Sequence, residues 1–148
     1  MGPELATRHR VGVDVGLGSA VGAVGLTYTI APVPWLRLEV GGGLGISGTQ
    51  LCAMPKVALS GPRDRFVAGA GMSWSNGQDA HGAEWSVPWV NLDALGYEHR
   101  FASSVSLSVA AGLTTPLARF HYDVTELGNT VKPGTLFPQF RAGIGYWF

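Results

Sequence analysis

Charge is what this sequence has least of. Ten basic and ten acidic residues in a chain of 148 make 14% charged, where soluble domains average about 25%. Something other than a charged surface must therefore keep the chain dispersed. The two signs cancel, which leaves no basic stripe for nucleic acid or for anionic lipid. A lone cysteine, Cys52, excludes an intrachain disulfide and any cysteine-based zinc cluster, and it reads as an inert small residue near a strand end. Met1 to Arg10 lacks the apolar run of an export leader, and no small-residue cleavage pattern follows the first apolar stretch. A helical period is missing too. The 22 uncharged residues between Asp14 and Arg37 are long enough for a membrane helix, and Gly18, Gly22 and Gly25 mimic a helix-packing motif. Pro32 and Pro34 cut that helix, however, and its apolar positions repeat at two rather than 3.6.

What the chain has instead is glycine, 22 residues, and 46% apolar residues set out in alternation. In Leu136 to Phe148, LFPQFRAGIGYWF, the residues Phe140, Ala142, Ile144, Tyr146 and Phe148 occupy every second position, and Gln139, Arg141, Gly143, Gly145 and Trp147 fill the others. This is a strand with one apolar face. It stops on an aromatic residue with no polar tail behind it, whereas the end of a soluble chain normally frays into water.

The stretch resembles the C-terminal strand of Gram-negative outer-membrane β-barrels, which carry a terminal Phe with apolar or aromatic residues two, four, six and eight places before it. The resemblance implies that Phe140, Ala142, Ile144, Tyr146 and Phe148 form both the closing strand and the signal read by the outer-membrane insertion machinery. It also implies that an export leader has been removed and that Met1 is not the native start.

Seven further segments alternate in the same way. They are predicted at about Arg10–Gly18, Val21–Ile30, Trp35–Ile46, Leu51–Ser60, Phe66–Ser75, Trp85–Glu98 and Val105–Leu113, the fourth irregular around Pro55. Most approach the nine to eleven residues of a tilted membrane strand, and eight is the smallest number that closes a barrel. The expected fold is all-β: one domain over residues 1–148, with a short tail at 1–9, folded as an eight-stranded antiparallel up-and-down transmembrane barrel similar to the OmpA and OmpX kind. Short periplasmic turns fall at Ala31–Pro34, Ser60–Arg65 and His99–Ser104, and longer external loops at Asn76–Glu84 and Thr114–Thr135. Aromatics then suggest two girdles: Tyr28, Phe66, Phe101, Tyr146 and Phe148 on the periplasmic side, and Trp74, Trp85, Trp89 and Phe137 on the external side. A soluble lipocalin-like barrel would place the small-residue face in water, where charged side chains are normally plentiful. Here that face is mostly glycine, which suits a narrow lumen that must clear a few large side chains.

Charges inside strands should line that lumen, because a midplane Arg or Lys facing lipid costs about 2 to 4 kcal/mol. Asp14, Arg37, Glu39, Lys56, Asp93 and Arg141 lie on the glycine parity, while Glu98 falls on the other parity at a strand end. The six sum to zero and can plug the interior, with Asp14 and Arg141 a plausible pair across the closing seam. Lipid A acylating and deacylating barrels resemble the chain in strand number and use His with Ser or Asp near the external rim. The matching candidates here are His81 with Asp79 and Glu84, and His121 with Asp123 and Glu126, a set that also offers metal-ligand types. Phe120 and Tyr122 beside His121 suggest a contact patch instead. No HxS, HExxH or GxSxG spacing occurs, and the glycine runs precede no helix that would cradle phosphate. The expected function is therefore a non-catalytic structural, interaction or anchoring role in the outer membrane, without cofactor or metal. Its partners would be lipopolysaccharide and phospholipid, the insertion machinery, and a protein met through loops 76–84 and 114–135. A lipid-modifying enzyme and a narrow pore are the alternatives.

Overall fold

The computed structural model describes residues 9–45, 48–78, 82, 84–122 and 129–148. Its strands are β1 (His9–Leu17), β2 (Val24–Val33), β3 (Leu36–Gly45), β4 (Gly48–Leu59), β5 (Asp64–Gln78), β6 (Glu84–Arg100), β7 (Val105–Pro116), β8 (Phe120–Tyr122), β9 (Asn129–Val131) and β10 (Phe137–Trp147). Each of β1 to β6 pairs antiparallel with the next, and β10 joins β7 to β1, so the sheet closes into an eight-stranded barrel. Closure leaves no free edge. The seam runs in register from Arg10 opposite Trp147 to Leu17 opposite Phe140. Beyond it, Phe148 and His9 exchange both backbone hydrogen bonds, at 2.9 and 3.1 Å.

The apolar parity faces outward on every barrel strand, with Val13, Leu26, Leu38, Val57, Met72, Leu107 and Ile144 all exposed. Glycine, Ser, Thr and charged residues fill the inside. A protein that turns its leucines out and its carboxylates in has the polarity of a chain built for lipid.

The irregularity expected at Pro55 is present on one side: the β4–β5 pairs skip Met54 and Pro55, while β4 itself runs on with Pro55 facing outward opposite Leu38 of β3. Four expectations change. Val21 does not begin β2. Residues 18–23 turn back into the barrel, where Ser19, Ala20 and Val21 are buried and Val21 packs with Cys52 and Met54. Gly18 (φ 62°) and Gly22 (φ 88°) make that turn, in a region other residues rarely enter. Cys52 consequently sits in the middle of β4, facing this cluster, not near a strand end. The clearance glycines of β2 and β3 serve the same inserted loop: a Cβ on Gly41 would lie 2.9 Å from Val21 Cγ1 and 2.9 Å from the Leu26 carbonyl oxygen. Gly41→Ala should overpack this plug and cost about 1 to 3 kcal/mol, read as a lower urea midpoint for unfolding from lipid bilayers.

The third change concerns β6. Its pairing shifts by one residue between Asp93 and Leu95 against β7, with a matching shift against β5 between Val67 and Gly69. Ala94 and Leu95 therefore both face out, as a β-bulge requires, and every later residue of β6 reverses parity. The fourth is the stretch read as one long loop from Thr114 to Thr135. β7 extends to Pro116, β10 starts at Phe137, and β8 and β9 form a hairpin between them.

Candidate functional site: the barrel interior

The lumen charges fall into three groups whose members are set by strand parity. At the centre, Lys56 and Arg141 each bridge Glu39 and Asp93. Lys56 Nζ donates to Glu39 Oε1 at 2.8 Å and lies 3.2 Å from Asp93 Oδ2, while Arg141 donates to the same two atoms at 2.7 and 3.0 Å. Gln139 Nε2 completes the arrangement, donating to Asp93 Oδ1 at 2.6 Å. Four strands, β3, β4, β6 and β10, are thus tied across the barrel by two cations and two carboxylates.

Toward the terminal end, where β1 starts and β10 stops, Arg37 makes a two-point bridge to Glu98, at 2.8 and 3.0 Å. Its guanidinium lies 4.9 Å from the Trp147 ring centre, and that of Arg100 lies 5.3 Å from the same ring. Such stacking adds to the ion pair. In the third group, Asp14 accepts from Thr27 Oγ1 at 2.6 Å, and Arg10 donates to Ser106 Oγ at 3.1 Å and weakly to Thr27 Oγ1 at 3.5 Å.

Each of the six anticipated charges thus points inward, with two corrections to the pairing. Among the described residues Asp14 and Arg141 form no salt bridge: Arg141 stands opposite Gly16, two places from Asp14 along the seam, and reaches across the lumen instead. The set is also larger than six among the described residues, and Arg100, on the inward parity of β6, belongs to it. Glu98 is turned inward by the β6 bulge and is buried, as is Arg10. Arg10 shares the parity of Gly12 and Asp14, so alternation alone would have found it. The space left among these side chains is a cavity of about 30 Å³, where a single water occupies about 10 to 15 Å³ by the same measure.

The opposite end is closed by aromatics. Trp85, Trp89 and Phe137 stand on the inward parity of β6 and β10, so three of the four residues expected in an external lipid girdle instead enter the mouth. They surround Phe120 from the β8–β9 hairpin, with ring centres 5.8 Å (Trp85) and 5.3 Å (Trp89) from it, while Phe137 lies 6.2 Å from Trp89. Trp89 Nε1 donates to the buried Ser75 Oγ at 2.7 Å. Phe120 is itself buried, so it is no part of an exposed contact patch. Trp74 does face outward. At the terminal end the expected girdle forms, with Tyr28, Phe66, Phe101, Tyr146 and Phe148 exposed and joined by Trp35 and Tyr97.

No protein-family model matches the chain, and no curated protein matches it. Among solved structures, the crystal structure of the N-terminal β-barrel domain of Pseudomonas aeruginosa OprF superposes with a TM-score of 0.66, at 13% identity, over 96% of this chain and 99% of that one. The fold is that of the OmpA-like outer-membrane barrels. In this fold β10 closes the barrel against β1, with Phe140, Ile144, Tyr146 and Phe148 exposed along the outer wall.

The rim candidates are not assembled by anything described. Asp79, His81, Asp123 and Glu126 lie outside the described residues; His121 belongs to β8, and Glu84 opens β6 as an exposed residue. Among the described residues no cluster of three metal-ligating side chains occurs.

Proposed function

We propose that the chain is a non-catalytic integral barrel of a Gram-negative outer membrane with a closed lumen, serving as a structural or anchoring element. The observation that carries this reading is the central group of Lys56, Arg141, Glu39 and Asp93, which spans the lumen and neutralises itself without an imported ion. Eight strands enclose a space that side chains can fill, and at the level of these charges they leave about 30 Å³. The outward leucines and valines would meet lipopolysaccharide and phospholipid, and Phe140, Ala142, Ile144, Tyr146 and Phe148 would present the closing strand to the insertion machinery. The surfaces for a protein partner would be what remains of loops 76–84 and 114–135 outside β5, β7 and the β8–β9 hairpin.

Planar bilayers test the closed lumen. The purified barrel should give no steady conductance, only small sporadic leaks. Persistent ion-selective channels whose selectivity changes in Arg141→Ala would replace this reading with a pore. Catalysis is tested separately, by incubating the barrel with lipopolysaccharide and phospholipid and following acyl chains by mass spectrometry. No turnover is expected, and turnover lost in His121→Ala would overturn the non-catalytic reading.

A further inference from the structure

Above the charged groups, and below the aromatic lid, the barrel holds a second cavity of about 360 Å³. Its walls are mostly apolar, with Leu17, Trp89, Phe120, Val131, Phe137 and Pro138 among them, and no charged side chain lines it. Three of the polar side chains that line it, Asn91, Ser73 and Thr114, already satisfy one another, and Gln50 is a further polar one. Asn91 Nδ2 donates to Ser73 Oγ at 2.8 Å, and Thr114 Oγ1 donates to Asn91 Oδ1 at 2.9 Å. A polar ligand would have to break that chain of bonds, whereas an apolar one need only lie on it. At more than twice the roughly 150 Å³ of a dry cavity that binds benzene, this space suits a chain of about eight to ten carbons.

The cavity also has a side entrance. The β1–β10 ladder stops at Leu17 opposite Phe140, while β10 runs on to Phe137 against β7. The chain after Leu17 turns inward rather than continuing the wall. On the outer face a groove of about 790 Å³, running past Val109, Phe140 and Ala142, reaches the same place, for Gly16, Leu17 and Ala23 line both spaces. Gly16 and Ala23 are joined by a backbone hydrogen bond of 3.0 Å, so an apolar route from the outer wall to the interior would pass over Leu17 at the end of β1.

We propose that this cavity binds one medium-length hydrocarbon chain, admitted from the bilayer past Leu17 and Ala23 and held beneath Phe120 against Trp89. The proposal rests on the reading of the outer wall as lipid-facing. It leaves the central charged plug intact, since the chain stops on the Asn91 floor. The chain can come from a free fatty acid or from a lipid's acyl tail, and its chemistry in the cavity is the same.

The test uses the barrel in phosphatidylcholine nanodiscs with Trp35, Trp74 and Trp85 changed to Phe, leaving Trp89 and the remote Trp147. The Trp89 signal is the part lost on a further Trp89→Phe change. Two probes are titrated: 10-bromodecanoate, and a phosphatidylcholine carrying one 10-bromodecanoyl chain. Saturable quenching of Trp89 by about twofold or more, as expected for bromine in contact with the indole, should appear with at least one probe, and which one acts identifies the source. Ala23→Phe, which obstructs the entrance, and Val131→Phe, which fills the cavity from the hairpin, should each abolish it. Absence of saturable quenching by both probes, or quenching that persists unchanged in both variants, overturns the proposal. A barrel that fails to enter nanodiscs at all instead counts against the membrane reading, so the two failures are distinct.

Discussion

Replacing Glu39 by Ala should lower the unfolding free energy of the barrel by about 3 to 5 kcal/mol, the usual cost of removing one partner from a buried ion pair. Glu39 Oε1 accepts from both Lys56 and Arg141. Its loss leaves two cations to share Asp93 in a space with almost no room for water. The cost comes chiefly from stranding charge, so it should shrink when a partner is also neutralised. Glu39→Leu combined with Lys56→Met should cost less than the sum of the single changes, with a coupling of about 0.5 to 3 kcal/mol. Urea titrations in lipid vesicles measure both. Additive losses, or a Glu39→Ala cost below about 1 kcal/mol, would mean that the interior is hydrated enough to screen these charges and that the plug is looser than its geometry.

That the charges converge was legible in the sequence; how they pair was not. Alternation fixes parity, and parity alone puts Asp14, Arg37, Glu39, Lys56, Asp93 and Arg141 inside. Pairing depends on register and reach. Arg141 reaches Glu39 and Asp93 from across the barrel, while the nearby Asp14 accepts from Thr27. Glu98 was hidden by the bulge at Ala94 and Leu95, since one extra residue reverses the face of everything after it. No local signal marked the spot, because Ala94 and Leu95 are ordinary strand residues. The one available sign was a charge on an otherwise apolar parity, and an inward-reversed Glu98 explains it better than a frayed strand end does.

The loop end misled for a different reason. Trp85 and Trp89 sit on the same parity as Asn91 and Asp93, so alternation placed them inside, but aromatic residues near a strand end suggest a lipid interface by composition. Where parity and composition disagree, the structure follows parity. The hairpin that delivers Phe120 into the mouth is two three-residue strands, too short for a period of two to show. The tucked loop at Ser19 to Val21 was equally unreadable, because an apolar residue before a strand looks like its first residue.

The outward parity carries the second large effect. Leu38 and Leu107 stand on different sides of the barrel, each the third residue of its strand, β3 and β7, and each is roughly half exposed, at 46% and 48%. In water an Arg at either place would be harmless, or even helpful to solubility. In a bilayer Leu38→Arg or Leu107→Arg should block insertion or cost about 2 to 4 kcal/mol, the larger figure nearer the midplane. The control is an inward position on the same strand. Arg in place of Gly41 would meet Val21 and Thr27 rather than lipid, so its damage should be the same in bilayers of different thickness. The damage at Leu38, by contrast, should grow as a thicker bilayer moves its guanidinium farther from either interface. Folding efficiency into vesicles of short-chain and long-chain phosphatidylcholine separates the two. A Leu38→Arg barrel that folds equally well in both, or stays dispersed without detergent, would contradict the assignment of this face to lipid.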